Sequence, residues 1–492
     1  MDPPHPVQMN LLLDEIDVLE TAGDPRTVDV VGVTHDSRKV DPGDLFFCLP
    51  GESTDGHRHA PEAVARGAVG LVCEHLVTLD PPVVQARVAA GGARPAMARA
   101  AAAFHGNPSR EVTVAGVTGT NGKTTVTHLL AAVLGHAGRP TTLVGTLSGE
   151  RTTPEAAELQ AILASVRDAQ RADGVDRAVA MEVSSHALAQ ARVDCVEFDV
   201  GVFTNLTHDH LDFHGTMESY WRAKASLFRP GRTARGVVNA DDPWGRRLLQ
   251  IAEVPMLPVT RAAASRVRLE PGRTAFTWRG RRVVLSLTGL VNVDNALLAA
   301  EAAVALGVDP ATVAEGLATA AVVPGRLETV PAPGNGSGSG PTVLVDYAHT
   351  PAALRAVLHE AARLVSEGGR VVVVFGCGGD RDRTKRPLMG AAAHAGAAVA
   401  FLTSDNPRHE DPAAIIEQVR AGFPPTAVRD GRLVVEPDRR RAIERAVHAA
   451  GAGDVVVVAG KGHEAYQQFG GSRFPFDDRL VASEVLAERW DA

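Results

Sequence analysis

The chain has 492 residues, too many for one hydrophobic core, so roughly three domains are expected. With 45% hydrophobic and 22% charged residues it has the composition of an ordinary soluble globular protein, and a formal charge of -8 argues against a dedicated nucleic-acid binder, which would turn a basic face to phosphates. Cys48, Cys73, Cys195 and Cys377 form no CxxC, no run approaches the ~20 apolar residues of a membrane span, and acids follow the only apolar triplet of the first stretch, so a cytoplasmic protein with small, anionic, soluble partners is expected.

Residues 1–110 mix short strands with helices. VVGVTHDSRKV and DLFFCLPG read as strand pieces around the turn Asp41-Pro42-Gly43, and PEAVARGA as a short helix before the strand VGLVCE. Ser37 and Arg38 stand at a strand end, where a hydroxyl and a guanidinium can bind phosphate, although such surface residues are more often only solvated. The alanine-rich helix ARPAMARAAAAFHG stops at Gly106 and Asn107-Pro108, which marks a boundary.

Residues 111–330 alternate apolar runs with helical segments, as a mostly parallel sheet covered by helices requires. The unit opens with VTVAGVTGTNGKTT: a β-branched run, glycines at Gly116, Gly119 and Gly122, then Lys123 and Thr124 at the start of a helix. Inward-turned backbone N–H groups, the helix N-terminus and Lys123 suit a polyphosphate, and Thr124 suits Mg²⁺. Val117 stands where the standard motif has glycine, so the loop is a variant P-loop. Ligands of such sheets collect beyond the carboxyl ends of strands. Three polar groups follow apolar runs there: Glu182-Val183-Ser184-Ser185-His186; His208, Asp209, His210, Asp212 and His214; and Asn239, Asp241 and Asp242. Glu182 is placed to hold Mg²⁺, directly or through water. The His208–His214 cluster also permits a zinc or di-metal hydrolase, given further histidines such as His349 or His463. MESYWRAKASLF reads as an amphipathic helix carrying Lys224, by default a snorkelling surface lysine. NVDNALLAAEAAVALG reads as a helix closed by Gly307, with Asn292 and Asn295 in its first turn, and PGRLE follows.

Residues 331–492 begin with the flexible tract Pro331 to Pro341, a surface loop or interdomain linker. Repeated strand–helix alternation then predicts a doubly wound, Rossmann-like α/β domain. Its strand ends offer Asp346 and His349, GCGGDRDRTKR, Ser404-Asp405-Asn406-Pro407-Arg408, and GKGHEAYQ.

GVTGTNGKTT, EVSSHAL, FTNLTHDHLDFHG, the Tyr220 to Phe228 helix, NVDNALLAAEAA, PGRLE, VDYAHTP, GCGGDRDRTKRPLM, DNPRHEDP and GKGHEAYQ occur in this order. Together they resemble the Mur ligases of peptidoglycan synthesis, from about Val33 to about Gln467, and most closely the branch that adds diaminopimelate. The resemblance implies a three-domain α/β protein: an N-terminal domain for the UDP-sugar-peptide, a central ATP-binding domain and a C-terminal domain for the amino acid. It implies ATP-dependent addition of meso-diaminopimelate to UDP-MurNAc-L-Ala-D-Glu through an acyl phosphate, with Mg²⁺ as cofactor. By resemblance, Thr118, Gly119, Thr120, Asn121, Gly122, Lys123 and Thr124 cradle ATP, Thr124, Glu182 and His210 hold Mg²⁺, and Lys224 is carbamylated and joins the metal site. Asn295, Arg326 and Asp346 are similar to the nucleotide contacts. Ser37, Thr152, Thr153, Ser184, Gln190 and Arg192 match the sugar-peptide contacts, and Arg381, Asp405, Asn406, Pro407, Arg408, Gly460 and Glu464 those to diaminopimelate. A monomer is expected. The stretch between Gly145-Thr146 and Thr152-Thr153-Pro154 is shorter than in the family, and Ala352 stands where an acid often follows HTP. The runner-up is a ligase adding L-lysine or one like folylpolyglutamate synthetase, the latter having no use for DNPR. A phosphate-binding regulator would not need Lys224 and His210.

Overall fold

The structure is a computed structural model that describes residues 6–51, 54–149, 151–331 and 340–491. Most of the glycine-serine tract read as a linker, 332–339, lies outside the described residues.

The central sheet has six strands in the order Met256–Val259, Gly236–Asn239, Val200–Phe203, Thr113–Thr118, Ala178–Glu182 and Thr141–Val144, all parallel. Its middle strands are buried but for Thr113 at the start of one, and they read as runs rich in Val and Ala because helices cover both faces. On one face Val126, Leu129, Leu130 and Val133 of the helix Lys123–His136 meet Ala296, Leu297 and Ala300 of the helix Leu290–Ala305. On the other, Leu159 and Leu163 of the helix Ala156–Asp173 share a core with Phe203, Tyr220 and Trp221. The first strand, Thr113–Thr118, lies mid-sheet with later strands added on either side, which opens a crevice at its carboxyl end. Gly116 does not belong to the turn: it sits inside this strand, where a Cβ would stand 2.6 Å from the Phe198 ring, so it is a packing glycine. Asn295 lies in the second turn of the helix Leu290–Ala305 and not the first, because helix geometry starts two residues before Asn292.

The expectation of a parallel sheet missed an antiparallel meander, Ala264–Glu270, Arg273–Trp278 and Arg281–Leu285. It buries Phe276, Trp278, Val283 and Leu285 against the same helices as the central sheet, and Trp278 Nε1 donates to Glu301 Oε1 at 3.0 Å.

The N-terminal sheet runs Glu20–Ala22, Val84–Arg87, Gly70–Cys73, Asp44–Phe47 and Gly32–Thr34, parallel except for the first pair. The third sheet runs Glu328–Thr329, Thr342–Asp346, Val455–Ala459, Val371–Phe375, Val399–Leu402 and Leu433–Val435, with only the first pair antiparallel. Its edge strand thus comes from before the glycine-serine tract. Among the described residues no helix is long and apolar enough to cross a membrane.

Beneath the carboxyl ends of the third sheet lies a fully buried ion pair. Arg439 Nε and Nη2 donate to the two Asp478 oxygens at 2.8 and 2.7 Å, and Nη2 also donates to Ala459 O at 2.9 Å. Two charges removed from water need such fork-to-fork geometry, and loss of one partner strands the other. Asp478→Ala should therefore destabilise this unit by roughly 3–5 kcal/mol, read as a fall in the urea midpoint. A loss below about 1 kcal/mol would show that the guanidinium finds water or another acceptor.

Candidate active site

The loop after Thr113–Thr118 is shaped by two glycines. Gly119 has φ 150° and a Cβ there would lie 1.8 Å from Thr204 Oγ1; Gly122 has φ 86° and its Cβ would lie 2.5 Å from Asn295 Oδ1. Both positions demand glycine on space and on conformation. The loop is strapped to the segment after the neighbouring strand Val200–Phe203. Thr120 N donates to Asn205 O at 2.9 Å, Asn121 N to Asn205 Oδ1 at 3.0 Å, and Thr204 Oγ1 to Asn121 O at 2.6 Å. Thr120 Oγ1 also meets the Tyr220 hydroxyl at 3.1 Å. Lys123 folds back over the loop, its Nζ donating to Gly119 O at 3.0 Å and Thr120 O at 2.9 Å. Burial pulls its pKa down, against the pull of Glu182 and Asp209.

Glu182, at the end of Ala178–Glu182, is 1% exposed. Its Oε1 accepts from Thr124 Oγ1 at 3.0 Å and from Thr146 N at 2.9 Å, and Oε2 accepts from Thr146 Oγ1 at 3.3 Å. Among the described residues no group of three or more His, Cys, Asp or Glu stands together as a cation cage. A zinc hydrolase needs about three such ligands, so that reading loses its basis here. Mg²⁺ commonly takes one or two carboxylates and fills its octahedron with water and substrate phosphates. The touching pair Glu182 and Thr124 fits that demand.

Lys224, 1% exposed on the helix Met217–Ala225, donates to the same Gly119 carbonyl at 2.8 Å and lies 4.8 Å from the centre of the Tyr220 ring. It is a core lysine, and the default of a snorkelling one fails. Burial, reinforced by the Lys123 charge, holds its pKa well below the usual lysine value. Beside it the rings of His186 and His210 meet edge to face at 4.8 Å, and His214 stacks on Tyr220 at 5.0 Å. His210 is itself exposed to the cavity, its side chain 44% accessible and 3.5 Å from Asp209; partial desolvation, with the charges of His186 and the two lysines, lowers its pKa against the pull of Asp209.

The sugar-peptide candidates continue from Glu182 in one direction. Thr152 Oγ1 meets Thr146 Oγ1 at 3.1 Å, and Thr153 Oγ1 donates to Glu182 O at 2.8 Å and accepts from Ser184 N at 3.1 Å. Arg192 donates to Thr153 O and to Gln190 Oε1, and pairs with buried Glu155, which also holds Arg94 and Arg151. Ser37 donates to Glu62 at 2.8 Å, while Arg38 pairs with Asp36.

In the other direction stand Arg326 and Asp346. An Arg326 nitrogen donates to Thr124 Oγ1 at 3.2 Å, and its guanidinium covers the Tyr347 ring at 4.7 Å. Asp346 accepts from the N–H groups of Leu327 and Ala348, both at 2.7 Å; burial raises its pKa against those bonds and Arg326. Further along, Arg408, with φ 53°, donates to Gly379 O at 2.7 Å, and a Cβ on Gly378 would lie 2.9 Å from its guanidinium and 3.9 Å from Arg381. Pro407 backs Gly379, whose Cβ would strike Pro407 O at 1.8 Å. Gly460, φ 116°, leaves room for Asp405 Oδ2, 2.5 Å from where its Cβ would be. Asn406 Nδ2 donates to Glu464 Oε2 at 2.8 Å.

One cavity of about 1790 Å³ joins all three regions and is lined by most of these side chains, from Ser37 through Lys123, Glu182, His210 and Asn295 to Arg408, Gly460 and Glu464. Thr118, Gly119, Lys224 and Pro407 do not line it. Thr118 is buried with no partner for its Oγ1. Thr146, Tyr220, Glu155 and Lys461, which sequence reasoning left out, hold the residues that do.

The family descriptions Mur ligase family, catalytic domain (residues 29–115), Mur ligase middle domain (117–303) and Mur ligase, glutamate ligase domain (325–462) match the chain in succession. The chain is 46% identical to UDP-N-acetylmuramoyl-L-alanyl-D-glutamate--2,6-diaminopimelate ligase of Gloeobacter violaceus over 94% of this chain and 95% of that protein. It is 44% identical to the protein of the same name from Geobacillus thermodenitrificans, over 94% and 96%. A solved structure of a ligase so named superposes with a TM-score of 0.64 at 29% identity, covering 99% of this chain and 100% of that one. MurF from Acinetobacter baumannii, at 19% identity and a TM-score of 0.66, shares the fold.

A lowered His210 pKa leaves its imidazole neutral, with a lone pair to offer, at neutral pH. The folded state then binds fewer protons than the unfolded one below the usual histidine value, so His210 contributes to acid destabilisation as pH falls through that window. NMR titration of the ligand-free protein should show the His210 midpoint below the ordinary histidine value. A midpoint at or above that value would mean that the exposed ring feels Asp209 more than the neighbouring lysines.

Proposed function

The chain belongs to the Mur ligase family, and from that premise we propose that it is the ATP-dependent ligase that joins meso-diaminopimelate to UDP-MurNAc-L-Ala-D-Glu in peptidoglycan precursor synthesis. The observation that carries this reading is the single cavity that runs from the Ser37 and Arg192 end, past the phosphate loop, to Arg408 and Glu464. Three substrates that react at one centre need one continuous site.

A carboxylate is a poor electrophile, and an acyl phosphate is a good one. The γ-phosphoryl group passes from ATP to the terminal carboxylate of the dipeptide; the bond to the β-phosphate breaks and ADP leaves. The amine lone pair then attacks the acyl carbon, phosphate departs with the C–O electrons, and the amine loses a proton. Phosphoryl transfer is largely a matter of positioning and charge. Backbone N–H groups of Gly119 to Thr124 and the Lys123 ammonium receive the phosphates, with Asn295, Arg326 and Asp346 at the nucleotide. Thr124, Glu182 and His210 would hold Mg²⁺, which neutralises phosphate charge when bound. Thr152, Thr153, Ser184, Gln190 and Arg192, with Ser37, orient the sugar-peptide. Arg381 and Arg408 present planar forks suited to the far carboxylate of diaminopimelate, which lysine lacks. Residues 1–110, 111–330 and 331–492 would then serve the sugar-peptide, ATP and the amino acid in turn, in a cytoplasmic monomer.

Lys224 is prepared for carbamylation. Only a neutral amine adds to CO₂, forming N–C and releasing one proton, and burial beside Lys123 favours that neutral form. The product is an anion next to the Lys123 cation in place of a second cation.

The test is an amine panel: protein, ATP, Mg²⁺ and UDP-MurNAc-L-Ala-D-Glu, with phosphate release followed for each amine. Meso-diaminopimelate should exceed L-lysine by on the order of 10²-fold or more, since lysine would leave the half-buried Arg408 guanidinium without its carboxylate. Equal use of the two would remove the substrate assignment and leave the ligase.

Carbon-13 NMR in ¹³C-bicarbonate supplies a separate check on Lys224. A carbamate resonance should appear in the wild type and vanish in Lys224→Ala, whose activity should be lost. A spectrum of the active protein that lacks it would refute the modification.

A further inference from the structure

The turn Gly460–Gly462 carries a lysine that the reaction scheme leaves without a role. Lys461 is 0% exposed, and its Nζ donates to Asn406 Oδ1 at 3.1 Å and Glu464 Oε2 at 3.2 Å, with the Tyr466 ring centre 5.3 Å away. A buried ammonium persists only where paired and hydrogen-bonded, so this position was not filled for packing alone.

Its partners show what it does. Asn406 Oδ1 also accepts from the backbone N–H of Gln468 at 3.0 Å. An ammonium and an amide N–H are both donors only, so the amide oxygen of Asn406 must face them and its Nδ2 must point at Glu464 Oε2, 2.8 Å away. A flipped amide would set donors against donors. Glu464 Oε2 is thus saturated by Lys461 and Asn406, and Oε1 remains for the cavity that Glu464 lines. One free carboxylate oxygen, fixed in direction, is an acceptor for an ammonium group.

We propose that Lys461 is a positioning residue for the incoming amino acid: it locks the Asn406 amide and turns one Glu464 oxygen toward the ammonium of a diamino acid. The proposal rests on the amino-acid site assigned above. Lys461 itself does not line the cavity, so its effect is exerted through Glu464 and Asn406.

The experiment is steady-state kinetics on the full-length wild type, Lys461→Met, Glu464→Gln and the double variant, with diaminopimelate, ATP and UDP-MurNAc-dipeptide each varied. Lys461→Met should raise the KM for diaminopimelate at least ~10-fold, the scale of breaking one side of a buried charged pair, with the KM for ATP changed less than about twofold. In the Glu464→Gln background the same change should add less than about twofold, because a residue that acts through Glu464 has little left to orient. Should Lys461→Met not fold, Lys461→Gln, which keeps a donor to Asn406 but removes the charge, takes its place in both backgrounds with the same outcomes expected. The proposal is overturned if Lys461→Met leaves the diaminopimelate KM unchanged, if it weakens ATP and diaminopimelate equally, or if the two losses simply multiply. Wild-type protein inactive with diaminopimelate but active with another amine would instead overturn the substrate reading.

Discussion

Two lysine amines donate to one carbonyl oxygen, that of Gly119, at 3.0 and 2.8 Å. They are therefore within about 6 Å of each other, and two full charges at that spacing would repel by about 3 kcal/mol at an effective dielectric of 20. The structure relieves this through burial: Lys224 is sealed beneath the loop and pushed toward the neutral amine, while Lys123 stays at the cavity with Glu182 and Asp209 in its field. Negative charge stabilises the arrangement further, as polyphosphate above the loop or as a carbamate below it. A site built around a surplus of donors is a site for anions.

That surplus is kept in place by backbone that cannot relax. Gly119 cannot carry a side chain without displacing Thr204, and the strap from Thr204 to Thr207 ties the loop to the next strand. The third sheet reaches the same point through Arg326, and through Glu360, whose carboxylate accepts from Leu290 N at the start of the helix that carries Asn292 and Asn295. Asn295 in turn fills the space that Gly122 leaves. The sheets thus meet through polar contacts at strand and helix ends: Arg326 of the proposed nucleotide site makes one joint, and the helix that carries Asn295 begins at the other.

What was legible in the sequence was local. The glycine loop, Glu182 after its strand, the DNPR turn and the helix Lys385–Gly396 each follow from a short stretch whose residues serve the same element. What was not legible depends on partners far along the chain. Gly116 looked like a loop glycine because nothing nearby announces Phe198 above it. The meander Ala264–Leu285 alternates only weakly, with arginines on its outer face, and its strands pair with each other instead of joining the main sheet. Lys224 read as a surface residue because its helix is polar on average; helical spacing sets Tyr220 beside it, but only the fold places Gly119 O at its tip. Thr146 and Lys461 lie in stretches the sequence singles out, but nothing there marks either side chain, since their importance lies in which carboxylate they hold.

The two ends of the cavity differ in how their charges are held, and that difference bears on selectivity. Near the phosphate loop, cations rest on carbonyls and exchange those weak partners for phosphate when it binds. At the amino-acid end the groups are already committed: Asn406 is fixed by Lys461 and Gln468, and Arg408 adopts φ 53° with its backbone gripped by Gln468 and Gly470 of the hairpin Tyr466–Pro475. If amino acid binds here as proposed, so rigid a wall repacks poorly around a ligand that lacks a carboxylate or an ammonium, and a half-buried partner is left unsatisfied. Rigid pairing at that end thus favours discrimination between amines, and loosely held cations at the other favour tolerance of a phosphate that changes its bonds during the reaction.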